Sequence, residues 1–309
     1  MSAEASSLRE TPIVQPDTRR EDRLFWCFAI LFFAAWIIVP TLFFGNYRPD
    51  VIEQSFVGQE WVFGTAKHPS LTAIVLEVVS LGTLRASFAP YFVSQLFVLV
   101  TMISIWCLAK DIMSKPLALA ATCAMFNYWF FHFESTLYNN NITLNASWAV
   151  STVLCWYAFK TNKLFYWIFA GLAIGIGLHF KYTMAMFAIL MVLFLLCDSQ
   201  GRKYWTKPGP WLTTLTAFLV FLPHLIWVIQ HDYITLQYAS NLIQKPGWTG
   251  HVTEPLDFVA GQLVYIIPLL IPLIPICGWI GRIDRSKFCK TFQERYLLII
   301  WAAPFLFQL

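Results

Sequence analysis

Three carboxylates, Asp50, Glu53 and Glu60, and a His68-Pro69 pair fall within one polar interruption, Gly45 to Leu71, of a very apolar chain. Acids and a histidine beside an apolar run are the groups needed for proton transfer at a membrane surface. If Val51 to Phe63 is helical, Asp50, Glu53, Val57 and Glu60 share one face, and Val51, Ile52, Phe56, Val62 and Phe63 cluster on the opposite arc. Such a helix lies in the membrane interface, apolar side down and acids toward water. One reading is a reaction centre; the other is an amphipathic connector whose acids are simply solvated.

The surrounding elements follow from composition. The chain is 58% hydrophobic and 12% charged over 309 residues. That makes it an all-α polytopic membrane protein and excludes a soluble domain. The net charge of +4 is spread over loops flanking the apolar runs, so no nucleic-acid partner is implied. Residues 1–23 read as a disordered cytoplasmic tail without a cleavable signal, and 24–309 as the membrane domain, with 46–87 its first outer loop. Apolar runs place about nine spans, near Leu24–Phe44, Phe88–Ala109, Pro116–Phe131, Ile142–Phe159, Leu164–Phe180, Thr183–Cys197, Trp211–Gln230, Leu256–Ile280 and Tyr296–Leu309. Ser70 to Leu84 is apolar but too short to cross. It reads as a second interfacial helix with Pro69 in its first turn.

Charge decides the topology. The run from Leu164 to Cys197 is longer than one span of about 20 residues and shorter than two of about 40. Taken as two short helices meeting at Lys181-Tyr182, it puts sixteen Lys/Arg residues inside and five outside: Arg48, Lys67, Arg85, Lys181 and Lys245. One long helix would place the basic clusters 202–207 and 282–295 outside, against the positive-inside rule. All six histidines, with Asp50, Glu53, Glu60, Glu134 and Asp232, then gather at the outer side. The seven cysteines fall in spans or inner loops, so no disulfide framework is expected.

Several stretches carry a family resemblance. Asp50-x8-Gln59-x4-Gly64-x3-His68-Pro69-Ser70-Leu71 resembles the first-loop signature of GT-C glycosyltransferases. The branch is that of protein O-mannosyltransferases and lipid A aminoarabinose transferases. Leu137-Tyr138-Asn139-Asn140-Asn141, Gly171-Leu172-Ala173-Ile174-Gly175 running to Lys181-Tyr182-Thr183, and Leu222-Pro223-His224-Leu225-Ile226-Trp227 with His231-Asp232-Tyr233 are similar too, as is Phe258-x2-Gly261-Gln262. Three departures stand out. The acidic pair reads Asp50-Val51 with Glu53 displaced, Ser70 replaces a second proline, and the chain ends inside an apolar run, as a short variant or truncated product would.

The resemblance implies a GT-C-like helical bundle in a bacterial cytoplasmic (inner) membrane, active at the periplasmic face. It implies inverting transfer of a sugar from a polyprenyl-phosphate donor to an envelope glycan, lipid or protein acceptor. A glycosidase needs a second acid for its alkoxide leaving group, whereas a polyprenyl phosphate leaves without one. One carboxylate base plus a cation then suffices. Asp50 is the candidate base, and Lys181 the candidate cation for the donor phosphate. Glu53, His68, Tyr138, Asn141, Tyr182 and Asp232 are candidate substrate contacts. The bland readings are a helix cap for Asp50, a snorkelling Lys181 and a packed His68. His132 with Glu134, and His224 with His231, lack metal-ligand spacing, and the first loop has no Asp-x-Asp. No metal or other cofactor is therefore expected, the lipid-linked sugar being a co-substrate. Secondary transport is the competing function, but no inverted repeat is visible and only one helix break is found. An inactive family member is a third reading.

Overall fold

The computed structural model describes residues 19–242, isolated positions between 253 and 261, and residues 291–306. The described residues form helices and short 3-10 turns. Most of the predicted span at Leu256–Ile280, and Phe258 and Gln262 of the motif, lie outside the described residues.

Among the described residues, four helices are long and apolar enough to cross a membrane: α1 (Arg19–Phe43), α4 (Ala89–Ile112), α7 (Asn140–Thr161) and α10 (Pro208–Gln230). α1 starts inside the segment expected to be a disordered tail. Between α1 and α4 lie α2 (Pro49–Gln59) and α3 (Leu71–Gly82), too short to span and packed on each other. The predicted break after Phe180 is present. α8 (Leu164–Phe180) ends where Lys181 turns extended, and α9 (Met184–Cys197) begins after Thr183. The last two described helices are α11 (Ile234–Leu242) and α12 (Phe292–Leu306).

Two expectations are corrected. Pro116–Phe131 is not one helix. α5 (Lys115–Met125) stops after 11 residues, the backbone turns through Phe126-Asn127-Tyr128, and α6 (Trp129–His132) and a 3-10 turn, Glu134–Leu137, follow. Eleven residues rise about 17 Å, little more than half the hydrocarbon thickness. At the break the Phe126 and Phe131 rings pack 4.4 Å apart in the core. Pro69 lies before the Ser70 cap of α3 and not in its first turn.

α8 and α10 approach most closely where α8 carries no side chain. A Cβ at Gly171 would meet the Thr213 carbonyl at 2.5 Å, and one at Gly175 would meet Val220 at 2.6 Å. Small residues at i and i+4 let two apolar helices approach backbone to backbone. The main core joins α7, α8, α9 and α12, with Phe159 edge-on to Trp167, Phe292 and Tyr296.

Candidate active site

α2 differs from the expected amphipathic helix in a way that builds the site. It ends at Gln59, and Trp61 adopts φ 50° as the chain turns away. Its buried stripe is Val51, Gln54 and Gly58, while Ile52 and Phe56 are exposed. The presumed apolar arc is therefore split. Val51 is in the core against α3, and the exposed half is left to meet the interface. Gly58 permits the close pairing, since a Cβ there would lie 2.4 Å from the Ala73 carbonyl. Asp50 and Glu53 lie beside this stripe, half-buried.

Opposite them stands the start of α7, where three consecutive asparagines bond to different partners. Asn139 caps the helix, its Oδ1 accepting from the backbone N–H of Asn141 at 2.9 Å and of Ile142 at 3.3 Å. That fixes the amide orientation, so its Nδ2 donates to Asp50 Oδ2 at 2.8 Å. Asn140 is buried, donating to the Phe180 carbonyl at 2.6 Å and accepting from Gln54 at 3.0 Å. Asn141 Oδ1 accepts from Lys181 Nζ at 2.6 Å. The carboxylate on α2, the end of α8 and the lysine beyond it are thus held by one helix start.

Together these groups line a cleft of about 80 Å³ formed by Asp50, Glu53, Gln54, Lys67, His68, Asn139, Asn140, Asn141 and Lys181. Glu53 accepts from Lys67 with both oxygens at 3.0 Å. That pair raises the lysine above its usual range. Burial holds Lys181 below its usual range, and it has no carboxylate partner among the described residues. His68 is kept below its ordinary value by burial and then by Lys181 and Lys67, so it is neutral at pH 7. Its backbone is set by a tight turn in which its N–H donates to Thr65 Oγ1 at 3.1 Å and its carbonyl accepts from Thr65 N at 2.9 Å. Asp50 Oδ1 has no hydrogen-bond partner among the described residues. The cleft lining therefore includes a carboxylate with one oxygen free of hydrogen bonds and a cation not paired with an acid.

Five of the predicted residues meet here: Asp50, Glu53, His68, Asn141 and Lys181. Three do not. Tyr138 is fully buried, its hydroxyl donating to the Thr72 carbonyl at 2.8 Å, and it belongs to the core between α3 and α4. Asp232 is exposed at φ 53° beyond the end of α10, away from the cleft lining. Tyr182 points to α10, its hydroxyl 2.6 Å from His224 Nε2. His224 is fully buried and its Nδ1 lies 2.9 Å from the Phe63 carbonyl, which can only accept. Nδ1 therefore carries the proton and Nε2 accepts from Tyr182. This chain fastens the first loop to α10. Gly64 completes the joint, because a Cβ there would lie 2.7 Å from both the His224 and Trp227 rings.

Lys67, Gln54, Asn139 and Asn140 are the lining residues the sequence reading did not select. The Asn-Asn-Asn run at the head of a span was the available signal, since amides are expensive in a membrane unless used.

A family model described as dolichyl-phosphate-mannose-protein mannosyltransferase matches residues 67–227. It runs from the Lys67-His68 turn to Trp227 and covers the asparagine run, α8, the Lys181 break and α10. No curated protein and no solved structure matches significantly.

Proposed function

The chain belongs to the dolichyl-phosphate-mannose-protein mannosyltransferase family, and from that we propose that it moves a sugar from a polyprenyl-phosphate donor to an envelope acceptor. Membership makes it a membrane glycosyltransferase of the GT-C type. The observation that carries the finer reading is the pairing, across one cleft, of a carboxylate with a free oxygen and a lysine without an acidic partner.

In this reading Asp50 Oδ1 takes the proton from the acceptor hydroxyl as its oxygen attacks the anomeric carbon. The bond from that carbon to the phosphate oxygen breaks with inversion, and the polyprenyl phosphate leaves as an anion that needs no proton. Lys181 stabilises the charge growing on that phosphate. Glu53 and Lys67 neutralise each other beside the cleft, which agrees with the displaced Glu53 being a binding group and not a second base. Neutral His68 is a hydrogen-bonding contact for the donor head.

The test is donor dependence in proteoliposomes with a polyprenyl-phosphate-linked radiolabelled hexose. Lys181→Ala should raise the donor KM and lower turnover, and Lys181→Arg should restore part of it, since a guanidinium keeps the charge but changes its shape. Unchanged donor KM and turnover in Lys181→Ala would leave Lys181 as a snorkelling residue and remove the phosphate site.

A further inference from the structure

A second cleft, of about 320 Å³, lies at the outer end of α1 where the chain turns toward α2 and meets the start of α4. Its volume is at the lower end of the range of small-molecule sites, roughly 300–1,000 Å³. Phe44, Tyr47 and Tyr91 form aromatic walls, with ring centroids 6.5 Å apart for Phe44–Tyr91 and 6.0 Å for Tyr47–Tyr91. The Tyr47 hydroxyl is committed to the Ser87 carbonyl at 2.8 Å. Tyr91 is only 4% exposed, yet its hydroxyl has no hydrogen-bond partner among the described residues. The Asn46 amide, also on the lining, is likewise unpartnered. The hydroxyl opens on the cleft and the amide is on an exposed residue, so both meet water until a ligand that donates and accepts hydrogen bonds displaces it.

No lining residue is charged, whereas Asp50, Glu53, Lys67 and Lys181 all border the other cleft. A quaternary ammonium would suit the aromatic rings but would make no use of the Tyr91 hydroxyl or the Asn46 amide. A sugar ring meets both demands, laying apolar C–H faces on the aromatics and offering hydroxyls to Tyr91 and Asn46. The cleft opens where Leu42 and Phe43 are 69% and 77% exposed, at the end of a candidate span. Those side chains would meet the hydrocarbon chains of a lipid. Only Arg48 and Pro49 separate Tyr47 from Asp50.

We propose that this cleft binds the neutral sugar headgroup of a membrane glycolipid, holding it beside Asp50 as the acceptor. The acceptor role rests on the catalytic reading of Asp50; the binding itself does not.

The test is lipid binding to the purified full chain by native mass spectrometry, comparing a monohexosyl diacylglycerol with phosphatidylcholine. The glycolipid should bind saturably and in preference to phosphatidylcholine, and excess methyl hexopyranoside should displace it. Tyr91→Phe removes only the hydroxyl and should weaken glycolipid binding roughly three- to tenfold, the worth of one hydrogen bond. Gly45→Trp should abolish it, and the fold has room for the change because a Cβ at Gly45 has nothing within 4 Å. Phosphatidylcholine binding should be the same in all three proteins. No preference for the glycolipid, no displacement by the hexoside, or equal affinity in Tyr91→Phe and Gly45→Trp would overturn the proposal. Asp50→Asn should keep glycolipid binding and lose transfer. If it still transferred sugar, the catalytic reading would fall while the sugar site stood.

Discussion

The carboxylate of Asp50 owes its direction to one amide. Asn139 caps α7 with its oxygen and so can present only its nitrogen to Asp50, leaving Oδ1 toward the cleft. Two substitutions separate capping from orientation, because Ser and Asp are both good caps. Asn139→Ser should keep α7 and the melting temperature while lowering turnover. Asn139→Asp places a second carboxylate against the first, and that repulsion should move the acid limb of the pH–rate profile to higher pH. A wild-type profile in Asn139→Asp would show that Asn139 is a cap and nothing more. If Lys181 carries the donor phosphate as proposed, it should set the alkaline limb. Burial lowers its pKa from 10.5, whereas Glu53 raises that of Lys67, so Lys181 is the first of the two lysines to lose its proton as pH rises. Activity should therefore fall at a pH below 10.5, and Lys181→Arg, which does not titrate there, should move that fall upward. An unmoved limb would exclude Lys181 as its source. Buried His68 contributes in the opposite range. The unfolded chain binds its proton more readily, so its share of stability is complete above about pH 6.5 and is lost as pH falls through the lower folded value.

At the scale of elements, the first loop is held by α2 on α3 and by Phe63-Gly64 on α10. The Gly64 joint should be sensitive to a single methyl group. His224 is fixed at both ring nitrogens and Trp227 stacks on it at 5.6 Å, so neither ring can yield easily to a Cβ. Gly64→Ala should destabilise the protein by about 1–3 kcal/mol, read as a lower unfolding temperature in detergent. Wild-type stability would mean the loop is not anchored there. The elements also mark how far sequence reasoning reached. The break at Lys181 was legible because charge placement allowed only one arrangement of the basic clusters. The break at Asn127 was not, because an apolar run carries its length on its face but not the tertiary packing of Phe126 and Phe131 found at the interruption. Gln54 was hidden for a related reason. A polar residue on a short helix looks solvated until its tertiary partner, here Asn140, is known. Tyr138 belongs to the same motif as the asparagine run, yet its side chain is fully buried in the core, since one residue along a chain can turn from cleft to core.

For the whole molecule, the proposed chemistry puts the charged cleft on the opposite side of the membrane from the sixteen inner basic residues. Glu60 is exposed just beyond α2, so a cysteine placed there should react from outside with an impermeant thiol reagent. Labelling only after permeabilisation would reverse the topology. Within that frame the central claim is that transfer depends on the negative charge of Asp50. Asp50→Asn keeps the size and much of the hydrogen bonding but cannot accept the acceptor's proton. Transfer from a polyprenyl-phosphate-linked sugar, measured in proteoliposomes at equal protein, should fall about 10²–10⁴-fold in Asp50→Asn and far less in Glu53→Gln. Wild-type transfer by Asp50→Asn would contradict the mechanism, and equal losses in the two variants would mean that the carboxylates act as a pair.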